Sequence, residues 1–208
     1  MVARSLAAIG LAVWISPVLC AAGSAREIVV KSVGELRGAL RNVKPGTHVV
    51  ISPGVYQPSG SRKVVWIANV KGTAEAPIVF RAQDPNDRPI FRGGNECWHM
   101  CRCSYVVVDG IICEGADVNN FQFDFCDHFV VKNCVTRKMT SKGNGGNCDG
   151  IKMPGDRDFL IYRCAIETWG RGGSAIDMVG CTNGLIARCT FRFPTQTGSA
   201  NATQPKCG

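Results

Sequence analysis

Three stretches of the 208-residue chain align on one another without a gap: NFQFDFCDHFVVKNCVT from Asn120, GIKMPGDRDFLIYRCAI from Gly150 and AIDMVGCTNGLIARCTF from Ala175. Phe121, Ile151 and Ile176 share a column, as do Phe123, Met153 and Met178, and Cys134, Cys164 and Cys189. A weaker copy upstream, CWHMCRCSYVVVDGII from Cys97, is expected at an offset of 24, which puts Gly110 in the cysteine column. Each copy holds a short alternating strand, a turn, a nearly continuous apolar strand and a polar turn residue (Asp109, Asn133, Arg163 or Arg188). A unit this short cannot bury its own apolar face, but stacked copies can. The offsets of 30 and 25 are too short for four-stranded propeller blades, and the strands lack a leucine-rich consensus. The chain is therefore expected to be all-β, a right-handed parallel β-helix.

In such a solenoid, equivalent side chains of neighbouring coils stand about 4.8 Å apart. The three aligned cysteines then read as a reduced ladder of small apolar side chains just after a turn. Cys126 and Cys181 share another column with Asp156 between them, about 9.6 Å apart and too far for a disulfide. Cys97, Cys101, Cys103 and Cys113 do not have a standard zinc spacing, and no metal site is assigned to them. On the outer face the same alignment places Trp98, Gln122, Lys152, Asp177 and Gln204 in one column, with His99 pointing inward beside Phe123 and Met153.

The ends of the chain carry different signals. Residues 1–25 combine an early Arg, an apolar stretch and a Pro followed by small residues, as in a cleaved export signal. This predicts an extracytoplasmic protein, secreted or periplasmic, with no membrane attachment after cleavage and a β-helix domain over 26–208. SVGE from Ser32 is a capping box, and the following ELRGALRNV predicts a short helix covering the first coil. NATQPKCG begins another coil, with Thr203 stacking on Ile176 and Gln204 on Asp177, so the solenoid is expected to be incomplete at its C-terminal end. The formal net charge of +8 favours anionic partners. No nucleotide loop or nucleic-acid module is present, which discounts nucleic acid and leaves anionic lipid or acidic polysaccharide.

The order KPGTHVVISPGVY, GTAEAPIVFRA, RPIFRGG, CDGIKM, GGSAIDMVGC, QPKCG resembles secreted β-helix proteins of the pectin-lyase-like superfamily over residues 27–208. Its opening strands are similar to those of the alginate lyase and chondroitinase B type, without that group's acidic pair followed by a catalytic Lys. The resemblance implies a sugar-binding cleft along an outer face and lyase-type chemistry on an acidic glycan. Such β-elimination must neutralise a uronate carboxylate, remove the neighbouring C–H proton and assist the leaving oxygen. Lys152 is the candidate base, and Arg171 or Lys206 the neutralising cation. Asp149 and Asp177 would orient Lys152 or bind Ca²⁺, while Trp98, Gln122 and Gln204 would line the cleft. Three other readings stand beside this one. In glycoside hydrolysis the two carboxylates serve as acid and base. In a non-catalytic glycan- or surface-binding protein, Lys152 and Asp177 form a surface ion pair. The third is an inactive truncated relative.

Overall fold

The computed structural model describes residues 25–58, 63–139, 148–170, 172–192 and 201–206. The chain opens with β1 (Arg26–Val30), α1 (Val33–Leu40), β2 (Thr47–Ile51) and β3 (Val55–Tyr56). Coils of three strands follow. The first two are β4 (Lys63–Ala68), β5 (Ile78–Ala82) and β6 (Ile90–Arg92), then β7 (Glu96–Cys101), β8 (Ser104–Asp109) and β9 (Ile112–Glu114). Next come β10 (Asn119–Asp124), β11 (Asp127–Lys132) and β12 (Val135–Arg137), then β13 (Asp149–Pro154), β14 (Arg157–Tyr162) and β15 (Ala165–Ile166). A further coil holds β16 (Ser174–Val179), β17 (Thr182–Ala187) and β18 (Thr190–Phe191), and β19 (Asn201–Lys206) lies beyond it.

Like strands of successive coils pair in parallel and build three sheets. The front sheet runs β4-β7-β10-β13-β16-β19, a seven-stranded sheet runs β1-β2-β5-β8-β11-β14-β17, and a sheet of short strands runs β3-β6-β9-β12-β15-β18. The predicted all-β solenoid and its N-terminal helix are both present. Ser32 caps α1 by accepting from the Glu35 N–H at 3.1 Å, and Glu35 accepts from the Lys31 N–H at 2.8 Å. The helix buries Leu36 and Ala39. Among the described residues, no helix is long and apolar enough to cross a membrane. Residues 1–24 of the predicted leader lie outside the described residues.

The core lies between the three sheets and is filled by columns. Register confirms Phe121 on Ile151 on Ile176, and Met153 on Met178. The upstream copy differs from expectation. Trp98 pairs with Phe121 and His99 with Gln122, an offset of 23. The one-residue slip exchanges the faces of the whole strand. Trp98 is fully buried, with ring centroids of Phe91 and Phe80 at 5.1 and 5.6 Å. His99 takes the outer column instead.

Sharp corners make the slip legible. Gly110, Asn133, Arg163 and Arg188 all have left-handed φ, from 51° to 74°, at the corner leading to the short strands. Glycine adopts that conformation at no steric cost, so Gly110 belongs with Asn133 rather than with Cys134. The turn column therefore contains Gly110 instead of Asp109, and Ile111 occupies the position of the cysteines. The thiols there do more than fill space. Cys134, Cys164 and Cys189 each donate to the carbonyl two residues before them, at 3.2, 3.5 and 3.5 Å. Each of those carbonyls already accepts a backbone N–H from the neighbouring coil, so the thiol adds a second, weak donor at the corner in a side chain small enough to fit. All ten cysteines among the described residues are free thiols.

Candidate functional site

Three columns of the front sheet meet on its outer side. The second and third lie two residues apart, as alternation requires. The first, three residues before the second, is brought beside it, as the Asn119–Gln122 and Asp149–Lys152 contacts show. Lys63, Glu96, Asn119, Asp149 and Ser174 form the first. Trp66, His99, Gln122, Lys152 and Asp177 form the second, and Asp124 and Lys206 belong to the third. Because parallel coils bring these groups within contact distance, they join into one hydrogen-bonded row.

At the end nearer the N-terminus, Lys63 Nζ lies 2.7 Å from His99 Nδ1 and 3.4 Å from Glu96. With the ring neutral, Lys63 donates to Nδ1 and the Nε2–H donates to Asp124 Oδ2 at 2.7 Å. With the ring protonated, Nδ1 no longer accepts from Lys63 and its N–H has Glu96 Oε2 3.8 Å away. Burial opposes charge on all three groups, but mutual contacts outweigh it. Burial raises Glu96, yet His99 and Lys63 bring it below its ordinary range. Asp124 is likewise raised by burial and drawn lower by His99 and Gln122. Burial lowers His99, and Asp124 and Glu96 carry it above its usual value. Trp66 stands over this cluster, 46% exposed, with Lys63 Nζ 4.3 Å from its ring centroid.

The middle of the row is neutral. Gln122 donates to Asp124 at 2.8 Å and accepts from Asn119 at 2.9 Å. Asn119 Oδ1 in turn accepts from the Asp149 N–H at 3.1 Å.

At the other end, Lys152 Nζ bridges two buried carboxylates. It lies 3.7 Å from Asp149 and hydrogen-bonds to Asp177, and Lys206 Nζ reaches Asp177 from the next coil at 3.0 Å. Both carboxylates are essentially inaccessible, whereas Lys152 and Lys206 are 19% and 39% exposed. Asp149 Oδ1 accepts from the Ser174 N–H at 2.7 Å, and its Oδ2 has no hydrogen-bond partner. Burial pushes Asp149 up by more than that hydrogen bond and the Lys152 charge draw it down. What a ligand meets is thus a pair of amino groups above two covered acids.

This geometry brings Asp149, Lys152, Asp177 and Lys206 into one cluster and ties Gln122 to its edge. Gln204 stands in register with Asp177. Arg171 lies outside the described residues. The stacking role expected of Trp98 is corrected: a fully buried core indole cannot meet a sugar, and the exposed aromatic of the column is Trp66. His99, expected inward, and Glu96 reach the outer side because the upstream copy runs one residue out of the expected phase, while Lys63 and Trp66 lie on β4 before that copy and Asp124 ends β10. The left-handed corner at Gly110 was the signal that sets that phase. The residues do not fit calcium between Asp149 and Asp177. Lys152 Nζ already holds that position, and no cluster of three or more metal-ligating side chains occurs among the described residues.

Similarity to known proteins enters through structure. No protein-family model matches the sequence, and no curated protein matches it. The pectate lyase Pel9A superposes with a TM-score of 0.65 at 13% identity, over 86% of this chain and 58% of its own. An alginate lyase from Paenibacillus sp. str. FPU-7 gives 0.53 at 17% identity, over 77% and 58%. A PL6 family polysaccharide lyase from Pseudopedobacter saltans gives 0.58 at 15% identity, over 86% and 41%. The chain shares with them the right-handed parallel β-helix fold. It spans about three-fifths or less of the length of these structures, and at such identities the likeness is one of fold.

Proposed function

We propose that this β-helix is an exported, polysaccharide-active protein that binds an acidic glycan along the front sheet and cleaves it by lyase-type β-elimination. The carrying observation is the arrangement of Lys152 and Lys206 over buried Asp149 and Asp177, on three successive coils. Two ammonium groups at the surface attract a uronate carboxylate, and the acids beneath hold them in place. Lys206 neutralises the carboxylate, which acidifies the neighbouring C–H. Lys152, having passed a proton to Asp149, takes the C–H proton. The electron pair forms the new C=C bond as the glycosidic oxygen leaves with a proton from water. Burial favours this use of Asp149, because it stabilises the neutral carboxyl over the carboxylate. Trp66 offers a ring face to a sugar, and Gln122 contributes a polar contact along the column. A lysine ammonium fills the place of calcium here, so product formation is expected to survive chelation.

The direct pairing of Lys152 with Asp177 favours a second reading, in which the face binds acidic glycan without cleaving it. One assay separates the two. The protein is incubated with alginate, pectate and glycosaminoglycans while absorbance of unsaturated ends is followed, with and without chelator. Product that disappears in Lys152→Met supports the lyase. Retention on an acidic-glycan column without product supports the binder, and neither signal would sink both.

A further inference from the structure

A second charged cluster lies on the sheet of short strands. Glu114 is almost wholly covered, with 2% of its side chain exposed, yet it is surrounded by cations. Arg92 Nε donates to Glu114 Oε1 at 2.6 Å, Arg137 Nε donates to Oε2 at 2.8 Å, and Lys138 Nζ lies 3.2 Å from Oε2. Arg92, Glu114 and Arg137 are in register on three successive strands. The two guanidinium groups therefore stand one rung to either side of the carboxylate, about 9.6 Å apart at the backbone. Lys138 follows Arg137 with φ of 53°, a left-handed conformation that non-glycine residues rarely adopt.

Three features separate this cluster from an ordinary ion pair. Three cations face one carboxylate, which leaves a surplus of two positive charges. Each arginine binds Glu114 through Nε alone, so its two terminal nitrogens have no protein partner among the described residues. The buried acid thereby fixes both forks before any ligand arrives. The arginine and lysine side chains are 30 to 65% exposed, so the forks reach solvent.

We propose that Arg92, Arg137 and Lys138 form an oxyanion site that takes a sulfate ester or carboxylate of an acidic polysaccharide. Two guanidinium forks offer paired N–H donors to a planar or tetrahedral oxyanion, and Lys138 adds a mobile charge at the rim. Glu114 holds the forks apart and keeps them from closing on each other. The acid stays ionised throughout the working pH range. Burial raises its carboxyl, but Arg137, Arg92 and Lys138 bring it down to about 2. The site lies on a different sheet from the front face and stands whether or not that face is catalytic.

The test is an NMR titration of the whole protein, following the arginine Nε–H signals as sodium sulfate is added. Chondroitin sulfate and alginate oligosaccharides are titrated next. The signals of Arg92 and Arg137 are expected to shift saturably. Arg92→Lys keeps the charge on Glu114 but removes a fork, and should weaken binding about tenfold, the scale of one charge-assisted hydrogen bond. Lys138→Gln, at the most exposed position, should weaken it several-fold while leaving thermal unfolding and front-sheet product formation unchanged. Preference for chondroitin sulfate would identify the sulfate ester, and preference for alginate the carboxylate. Linear, unsaturable shifts, or both variants binding like the parent protein, would overturn the proposal.

Discussion

The two ends of the front-sheet row solve the same problem differently. At one end an imidazole stands between Glu96 and Asp124; at the other an ammonium stands between Asp149 and Asp177. Glu96 and Asp124 keep 11% and 19% of their side chains exposed and are held below their ordinary range. Asp149 keeps 1% and is pushed above it. Directness of contact alone does not explain this, because Glu96 meets Lys63 at 3.4 Å and His99 at 3.8 Å, no closer as a set than Lys152 stands to Asp149 at 3.7 Å. Depth does. Asp149 lies deepest, beside buried Asp177, and desolvation there outweighs the Lys152 charge, whereas at Glu96 and Asp124 the contacts with His99 outweigh it. A nearby cation thus offsets desolvation only while the carboxylate keeps some contact with solvent.

Removing Lys152 is the most severe way to break the comparison. Lys152→Ala leaves two covered carboxylates with only Lys206 in reach of one, and is expected to cost about 3–5 kcal/mol in denaturant unfolding. Trp98→Ala should cost a similar ~3–5 kcal/mol because it empties a core position. Trp66→Ala, one column face away, should stay within about 1 kcal/mol while weakening retention on an acidic-glycan column. Equal losses for the two tryptophans would contradict the register.

A carboxyl ¹³C titration sharpens the contrast without any mutation. Asp149 should titrate above the ordinary aspartate range, with Glu96 and Asp124 below theirs. The signs follow from linkage. Asp149 weakens the fold as pH rises from its unfolded pKa through its raised folded one. Glu96 and Asp124 stabilise above their unfolded values, and that stability is lost as pH falls through their lowered folded values. The His99 contribution is full below its unfolded pKa and is lost as pH rises through the raised folded value. The smallest effect is expected from Lys206→Gln, an exposed partner whose loss should change stability by no more than about 1 kcal/mol. It should nevertheless weaken acidic-glycan retention, read on the same column.

Much of this molecule is legible in its residues alone. The gapless copies from Asn120, Gly150 and Ala175 establish a stacked solenoid, because no single copy can bury its own apolar face. The same alignment places Lys152 beside Asp177 and the cysteines in one column, since a period of two leaves each side chain one choice of face. Upstream that reasoning weakens. In CWHMC, Cys97, Trp98 and Met100 are all apolar, so either phase leaves some of them inside, and hydrophobicity does not choose between them. Only the tertiary register decided that Trp98 packs on Phe121 while Trp66 and His99 face outward. The depth of Asp149, Asp177 and Glu114 was equally beyond the sequence. A side chain's burial and its bonded partners are set by neighbouring coils 22 to 30 residues away, and loops of unequal length hide which residues those are.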